Sequence, residues 1–137
     1  MQITFLGTRG EIKPKSKLHA MHTATLFTHE SKRVMVDCGS TWLGKIKRVK
    51  PDHIVLTHAH PDHAFGLKEG SPCPVWATKK TWKDIDSFPI PLKLRRIIEP
   101  RKKRRICGIQ FEAFSLLHSL ICPAVGYRIT CGKMRLF

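Results

Sequence analysis

Six consecutive residues, His58-Ala59-His60-Pro61-Asp62-His63, hold three imidazoles and a carboxylate. Imidazole and carboxylate are ligands for zinc, and also for iron or manganese. The apolar run Ile54-Val55-Leu56 just before them reads as a buried strand, and extended chain points residues i and i+2 the same way. His58 and His60 are therefore expected to aim at one point. Pro61 suits the first position of a helix, so Asp62 and His63 fall on a first helical turn and project elsewhere. Two adjacent metal positions follow, one held by His58 and His60, the other by Asp62 and His63. Two neighbouring ions would lower the pKa of a shared water until hydroxide exists near neutral pH. Their open positions would take a carbonyl or phosphoryl oxygen, which is the chemistry of a metal-assisted hydrolase.

The surrounding pattern supplies the frame. "QITFLGT" alternates and meets a glycine, as a strand ending in a turn does. "TATLFTHE" and "KRVMVDCG" read as a hairpin turning near Glu30–Lys32. "STWLGKIKRV" reads as one capped helix, "PDHAFGLKEG" as a short helix and "CPVWAT" as a strand. "KKTWKDIDSF" reads as a helix ended by Pro89 and Pro91. "GEIKPKSKLHAMH" and "PLKLRRIIEPRKKRRI" read as basic, irregular connections. "ICGIQFEAFSLLHS" alternates about a turn at Gly108, and "AVGYRITCGKMRLF" gives two strands turning at Cys131–Lys133. Strands at both ends with helices between them define an α/β or α+β class.

With these elements placed, the chain resembles the metallo-β-lactamase superfamily, whose signature is HxHxDH after a strand. "VMVDCG", with Asp37 and Gly39, resembles the family's aspartate-containing strand end that buttresses the metal loop. "FLGT" resembles the opening of its ribonuclease Z-like and phosphodiesterase-like branches. "FEAFSLLHS" places His118 where the family carries the third ligand of its first metal. The resemblance implies an αββα sandwich with His58, His60 and His118 on the first ion. Asp62 and His63 would hold the second, and Asp62 would also orient the nucleophile. It implies two ions in a complete site, with zinc the first choice. It also implies a later bridging aspartate and a last histidine, which have no counterpart here. Asp84 and Asp86 precede His118 on a presumed helix and are poor substitutes. The expectation is thus a single domain over residues 1–137, incomplete at its C-terminus and supplying mainly the N-terminal half of the sandwich. Such a half exposes a sheet face, which predicts a homodimer or a missing C-terminal half.

Composition narrows the substrate. Among 137 residues, 25 Lys and Arg face 10 Asp and Glu, a formal charge of +15. Such a field attracts polyanions: RNA, DNA or smaller phosphate-containing substrates. Arg9, His19 and His22 follow the first strand, where the family places substrate-facing loops, and are candidates to contact phosphate. The run Arg101–Arg105, with Lys93, Arg95 and Arg96 nearby, reads as a nucleic-acid clamp or a solvated loop. It lacks the interleaved aromatics of a stacking platform. Five scattered cysteines without a CxxC pair read as reduced thiols. No apolar run reaches membrane-spanning length and no signal peptide is evident, so the expected location is the cytoplasm, without membrane contact. Two functions remain. The first is a hydrolase using metal-bound hydroxide on a phosphodiester or other phosphate substrate. The second is a non-catalytic basic nucleic-acid-binding module, or an inactive family fragment, with one structural metal or none.

Overall fold

A computed structural model describes residues 1–11, 16–17, 19–118 and 122–137. Two sheets and one layer of short helices make up the fold. The larger sheet runs in chain order through β1 (Gln2–Gly7), β2 (Ala24–His29), β3 (Lys32–Val36), β4 (His53–Val55), β5 (Val75–Ala77) and β6 (Arg95–Ile97). The first three strands are antiparallel, and the hairpin expected near Glu30–Lys32 joins β2 to β3 through Glu30 and Ser31, both of which take positive φ. From β3 to β6 the pairing is parallel. Each parallel step is a crossover through the helical layer, which holds α1 (Ile46–Val49), α2 (Pro61–Ala64) and α3 (Lys79–Asp84). The smaller sheet has the order β10 (Met134–Leu136), β9 (Ala124–Cys131), β8 (Ile109–Leu116), β7 (Lys103–Ile106), all antiparallel.

Period-2 alternation gives each central strand two apolar faces. Met35, Ile54, Val75 and Ala77 point to the helices and meet Trp42, Ile46, Leu67, Trp82 and Ile85. Val34, Val36, Val55 and Trp76 point the other way and meet Ile109, Phe111, Tyr127 and Ile129 of the smaller sheet. A strand covered on both sides reads as a continuous apolar run, which is what "HIVL" and "VMV" show. These are the helix, larger-sheet and smaller-sheet layers of a metallo-β-lactamase-like sandwich.

Two expectations change. The helix predicted from Ser40 to Val49 is broken: a 3₁₀ turn at Ser40–Trp42 is separated from α1 by Gly44, whose φ is +69°. That angle lies in the left-handed region, which a continuous right-handed helix excludes. The basic connection after Pro91 is not irregular. It forms β6 and β7, which lie at the edges of the two sheets, where lysine and arginine are common because they discourage further pairing. The loop expected between Gly10 and His22 lies partly outside the described residues, at 12–15 and 18.

One buried bond ties the sheets together at the strand that carries the histidines. Tyr127 of β9 donates its hydroxyl to the Leu56 carbonyl at 2.7 Å, and Val125 N–H donates to the Thr57 carbonyl at 3.1 Å. Tyr127 is buried, so removing its hydroxyl leaves the Leu56 carbonyl without that donor. We expect Tyr127→Phe to destabilise the fold by about 1–3 kcal/mol. In urea unfolding the midpoint should fall at an unchanged slope.

Candidate metal centre

The centre forms at the C-terminal end of β4, where the chain leaves the larger sheet and turns into α2. Pro61 occupies the first turn of α2, and His60 precedes it in extended conformation. The imidazoles of His58 and His60 are brought together by this turn, and His118 joins them from the end of β8. His58 Nε2 lies 3.1 Å from His60 Nδ1, and His118 Nε2 lies 3.4 Å from the same atom. Nitrogens bound tetrahedrally at zinc distance are about 3.3 Å apart, from bond lengths of roughly 2.0–2.1 Å. The donor set and its spacing therefore fit a zinc-type ion. The three residues form the one group of three or more metal-ligand side chains found among the described residues.

A second pair adjoins them. Asp62 Oδ2 lies 3.2 Å from His63 Nε2, and the His63 ring lies 4.1 Å from that of His58, centroid to centroid. Among the described residues this second position has two donors, against three for the first.

Asp37 holds both positions. Its residue is 2% exposed, and its carboxylate accepts from Thr57 N–H and Thr57 Oγ1, both at 2.8 Å. It also accepts from His63 Nδ1 at 2.7 Å. Since the Thr57 hydroxyl donates to Asp37, its oxygen accepts from His58 Nδ1, 2.9 Å away. His58 thus carries its proton on Nδ1 and presents the Nε2 lone pair to the centre, while His63 is held by Asp37 at Nδ1 and faces Asp62 at Nε2. This outer support orients ligands and raises their basicity. Asp37 sits at φ +60°, a backbone region that aspartate tolerates better than most residues.

The electrostatics follow from burial. His58 is pushed down to about 3, by desolvation first and then by the His63, His60 and His118 imidazoles around it. It stays neutral at any physiological pH, as a ligand must. Burial also works to lower His63, but the hydrogen bond and charge of Asp37, with Asp62 adding to them, hold it above the ordinary value.

Close packing around the loop requires glycine. A Cβ on Gly39 would come within 2.1 Å of the Asp62 carbonyl oxygen and 2.5 Å of His22 Cβ. One on Gly66 would meet the Cys38 carbonyl at 2.5 Å. Gly66 N–H donates to that same carbonyl, and Cys38 N–H donates to the His63 carbonyl. Asp37-Cys38-Gly39 is in this way stitched to the turn that carries Asp62 and His63.

The phosphate-contact candidates separate. Arg9 and His22 form a parallel β-bridge, and His22 is buried beside the centre, feeling the charges of Arg9, Asp62 and His63. Burial first, then Arg9, lowers its pKa. Thr41 N–H donates to His22 Nδ1, so the proton resides on Nε2. His19 is exposed and bonds Thr8 Oγ1 at 3.2 Å. Sequence reasoning gave Thr57 no role, although it directly precedes the motif. Its hydroxyl links His58 to Asp37, which lies 20 residues away.

The fold and the three-histidine cluster define a protein of metallo-β-lactamase-like architecture with a site that could hold a divalent metal ion. A profile of the metallo-β-lactamase superfamily matches residues 20–71. The chain is similar to Ribonuclease Z of Methanococcus maripaludis, at 26% identity over 152 aligned positions. These cover 93% of this chain and 48% of that protein. It is also similar to Exodeoxyribonuclease WalJ of Streptococcus pneumoniae, at 29% identity, covering 67% of this chain and 40% of the relative. In solved structures, the metallo-β-lactamase fold protein YhfI of Bacillus subtilis superposes with a TM-score of 0.73. It has 16% identity and covers 97% of this chain and 60% of YhfI. The profile, the relatives and the fold together support the metallo-β-lactamase superfamily, and the relatives its ribonuclease Z-like branch. The chain spans about half the length of the ribonuclease Z relatives that it matches along its whole extent.

If Asp37 orients the His58 and His63 rings, Asp37→Asn should weaken zinc binding about 10–100-fold in a folded protein. Competition against a chromophoric chelator measures it. Unchanged affinity would remove Asp37 from the centre.

Proposed function

We propose that residues 1–137 form a single unit that carries the metal-holding part of a hydrolase acting on phosphodiesters, with nucleic acid as its substrate. The observation that carries the reading is the convergence of His58 Nε2, His60 Nδ1 and His118 Nε2 beside the Asp62–His63 pair. The relatives named ribonuclease and exodeoxyribonuclease support it, as does the charge of +15.

His58, His60 and His118 would hold the first ion, and Asp62 and His63 the second. Zinc suits the all-imidazole first position best. When bound, the ions supply Lewis acidity toward a phosphoryl oxygen and a nucleophile drawn from water at neutral pH. The chain's own groups do the rest. Asp62, buried at the start of α2, accepts a proton or a hydrogen bond at Oδ2 and so orients the attacking water. His22, neutral and protonated on Nε2, donates to a non-bridging phosphate oxygen, and Arg9 beside it balances the phosphate charge. His19, exposed in the same loop, meets the next group along the substrate.

The second position needs ligands beyond Asp62 and His63. A second copy of the chain or further sequence would provide them. The same shortage supports one alternative: a basic nucleic-acid-binding module with one structural metal, in which binding survives chelation and no phosphodiester is cleaved. No helix among the described residues is long and apolar enough to cross a membrane, and we place the protein in the cytoplasm.

Elemental analysis beside a hydrolysis assay tests the reading. Wild type should retain one to two zinc ions per chain, and His58→Ala/His60→Ala none. Hydrolysis of bis(p-nitrophenyl) phosphate should stop with chelator. It should fall by about 1,000-fold or more in the double variant, as several kcal/mol of Lewis-acid stabilisation are lost. Folded wild-type protein without metal would overturn the metal centre. Metal without hydrolysis would favour the binding module.

A further inference from the structure

Among the described residues, the smaller sheet buries one face against the larger sheet, and no further layer packs on the other. The register assigns residues to the open face: Lys103 and Arg105 of β7 lie beside Glu112 and Gln110 of β8. These in turn lie beside Arg128 and Thr130 of β9, and Arg135 of β10 lies beside Thr130. Arg101 reaches the same face, where its guanidinium stands 4.6 Å from the centre of the Phe114 ring. Five cations thus share this surface with one acid, Glu112. Arg128 neutralises that acid at 2.6 Å, and Arg128 also lies 5.0 Å over Phe114.

A folding role does not account for this charge. The apolar partners of β8 and β9 are on the inner face. Lys103, Arg105 and Arg135 are exposed, and none of the three has an ion pair among the described residues. Arg101 and Arg128 both stand over the ring of Phe114. Stacked guanidiniums lose less freedom on binding an anion than free ones. Lys103 and Arg105 stand two residues apart on a strand, about 6.6–6.8 Å, and form a row that successive phosphates of an extended strand can follow. β8 runs from this surface toward His118, which follows two residues after its end and within about 20 Å of Glu112 at extended-chain rise.

We propose that this open face is a second binding surface, separate from the metal centre, for the phosphate backbone of a single nucleic-acid strand. It deepens the nuclease reading and rests on it for the identity of the polyanion, while binding itself needs no metal. Charge contacts to phosphate dominate it, so it reads little sequence. Its function is to hold a polymer whose scissile bond lies at His118.

The test is fluorescence anisotropy with a 5′-fluorescein uridine 20-mer, in chelator, between 50 and 200 mM salt. Lys103→Gln/Arg105→Gln is compared with Lys45→Gln/Lys47→Gln, an equally exposed basic pair at α1. The first pair should weaken binding about tenfold and lower the salt slope by about 1.4, roughly 0.7 per phosphate contact on a single strand. The α1 pair should stay within twofold of wild type. Equal losses for both pairs, or no binding by wild type, would overturn the surface. Hydrolysis of bis(p-nitrophenyl) phosphate, too small to reach the sheet, should be the same in Lys103→Gln/Arg105→Gln as in wild type. A loss there would show that the pair acts through the metal centre and would also overturn the proposal. Absence of that hydrolysis in wild type bears on the nuclease reading alone, since the binding measurement does not depend on it.

Discussion

The buried carboxylate of Asp37 is the constraint around which the centre is arranged. A carboxylate at 2% exposure is costly unless its oxygens are satisfied. Here Thr57 satisfies it twice and His63 once. Those bonds fix the end of β3 against the end of β4, and the start of α2 against both. Hydrogen bonds to an ionised group contribute about 1.5–3 kcal/mol each, enough to hold a loop with little other regular structure. The same bonds leave Nε2 of His58 turned to the centre and hold His63 by its Nδ1. Stability and ligand readiness therefore come from one set of contacts.

The next requirement is that His118 arrive from the other sheet. β8 carries it, and β8 is positioned by β9, whose Tyr127 and Val125 bind the carbonyls of Leu56 and Thr57. The third imidazole is thus referenced to the residues just before the first. A 60-residue separation between His58 and His118 is bridged by backbone pairing and one phenol, without a long ordered loop.

Much of this was legible in the sequence because it is local. HxHxDH, the proline at the helix start and the apolar run before it lie within ten residues. The hairpins were legible from alternation and turn residues, as at Gly108 and Gly132. The strands β6 and β7 were not: Arg95-Arg96 and Lys103-Arg104-Arg105 carry too little apolar pattern to signal a strand, and edge position explains why they can. The broken helix at Gly44 was hidden by Leu43, Ile46 and Val49, whose spacing suits a helix although Gly44 does not. Tyr127 and Thr57 were illegible for another reason. Their partners are 71 and 20 residues away, and nothing in their own surroundings marks them.

The two metal positions differ in charge, and the difference has a physical consequence. The first is lined by imidazoles, with His58 held neutral by burial and by its like neighbours. A divalent ion there would meet strong ligands but no compensating charge within the set. The second has the Asp62 carboxylate and, through His63, the charge of Asp37. The neighbouring Asp62 and Asp37 carboxylates would supply that missing charge to an ion held at the first. Folding meets the desolvation cost of this arrangement before any ion arrives, because the Asp37 network already orients the rings of both His58 and His63. The centre can then use strong, neutral ligands in a buried site and still keep enough negative charge beside them to balance a divalent ion.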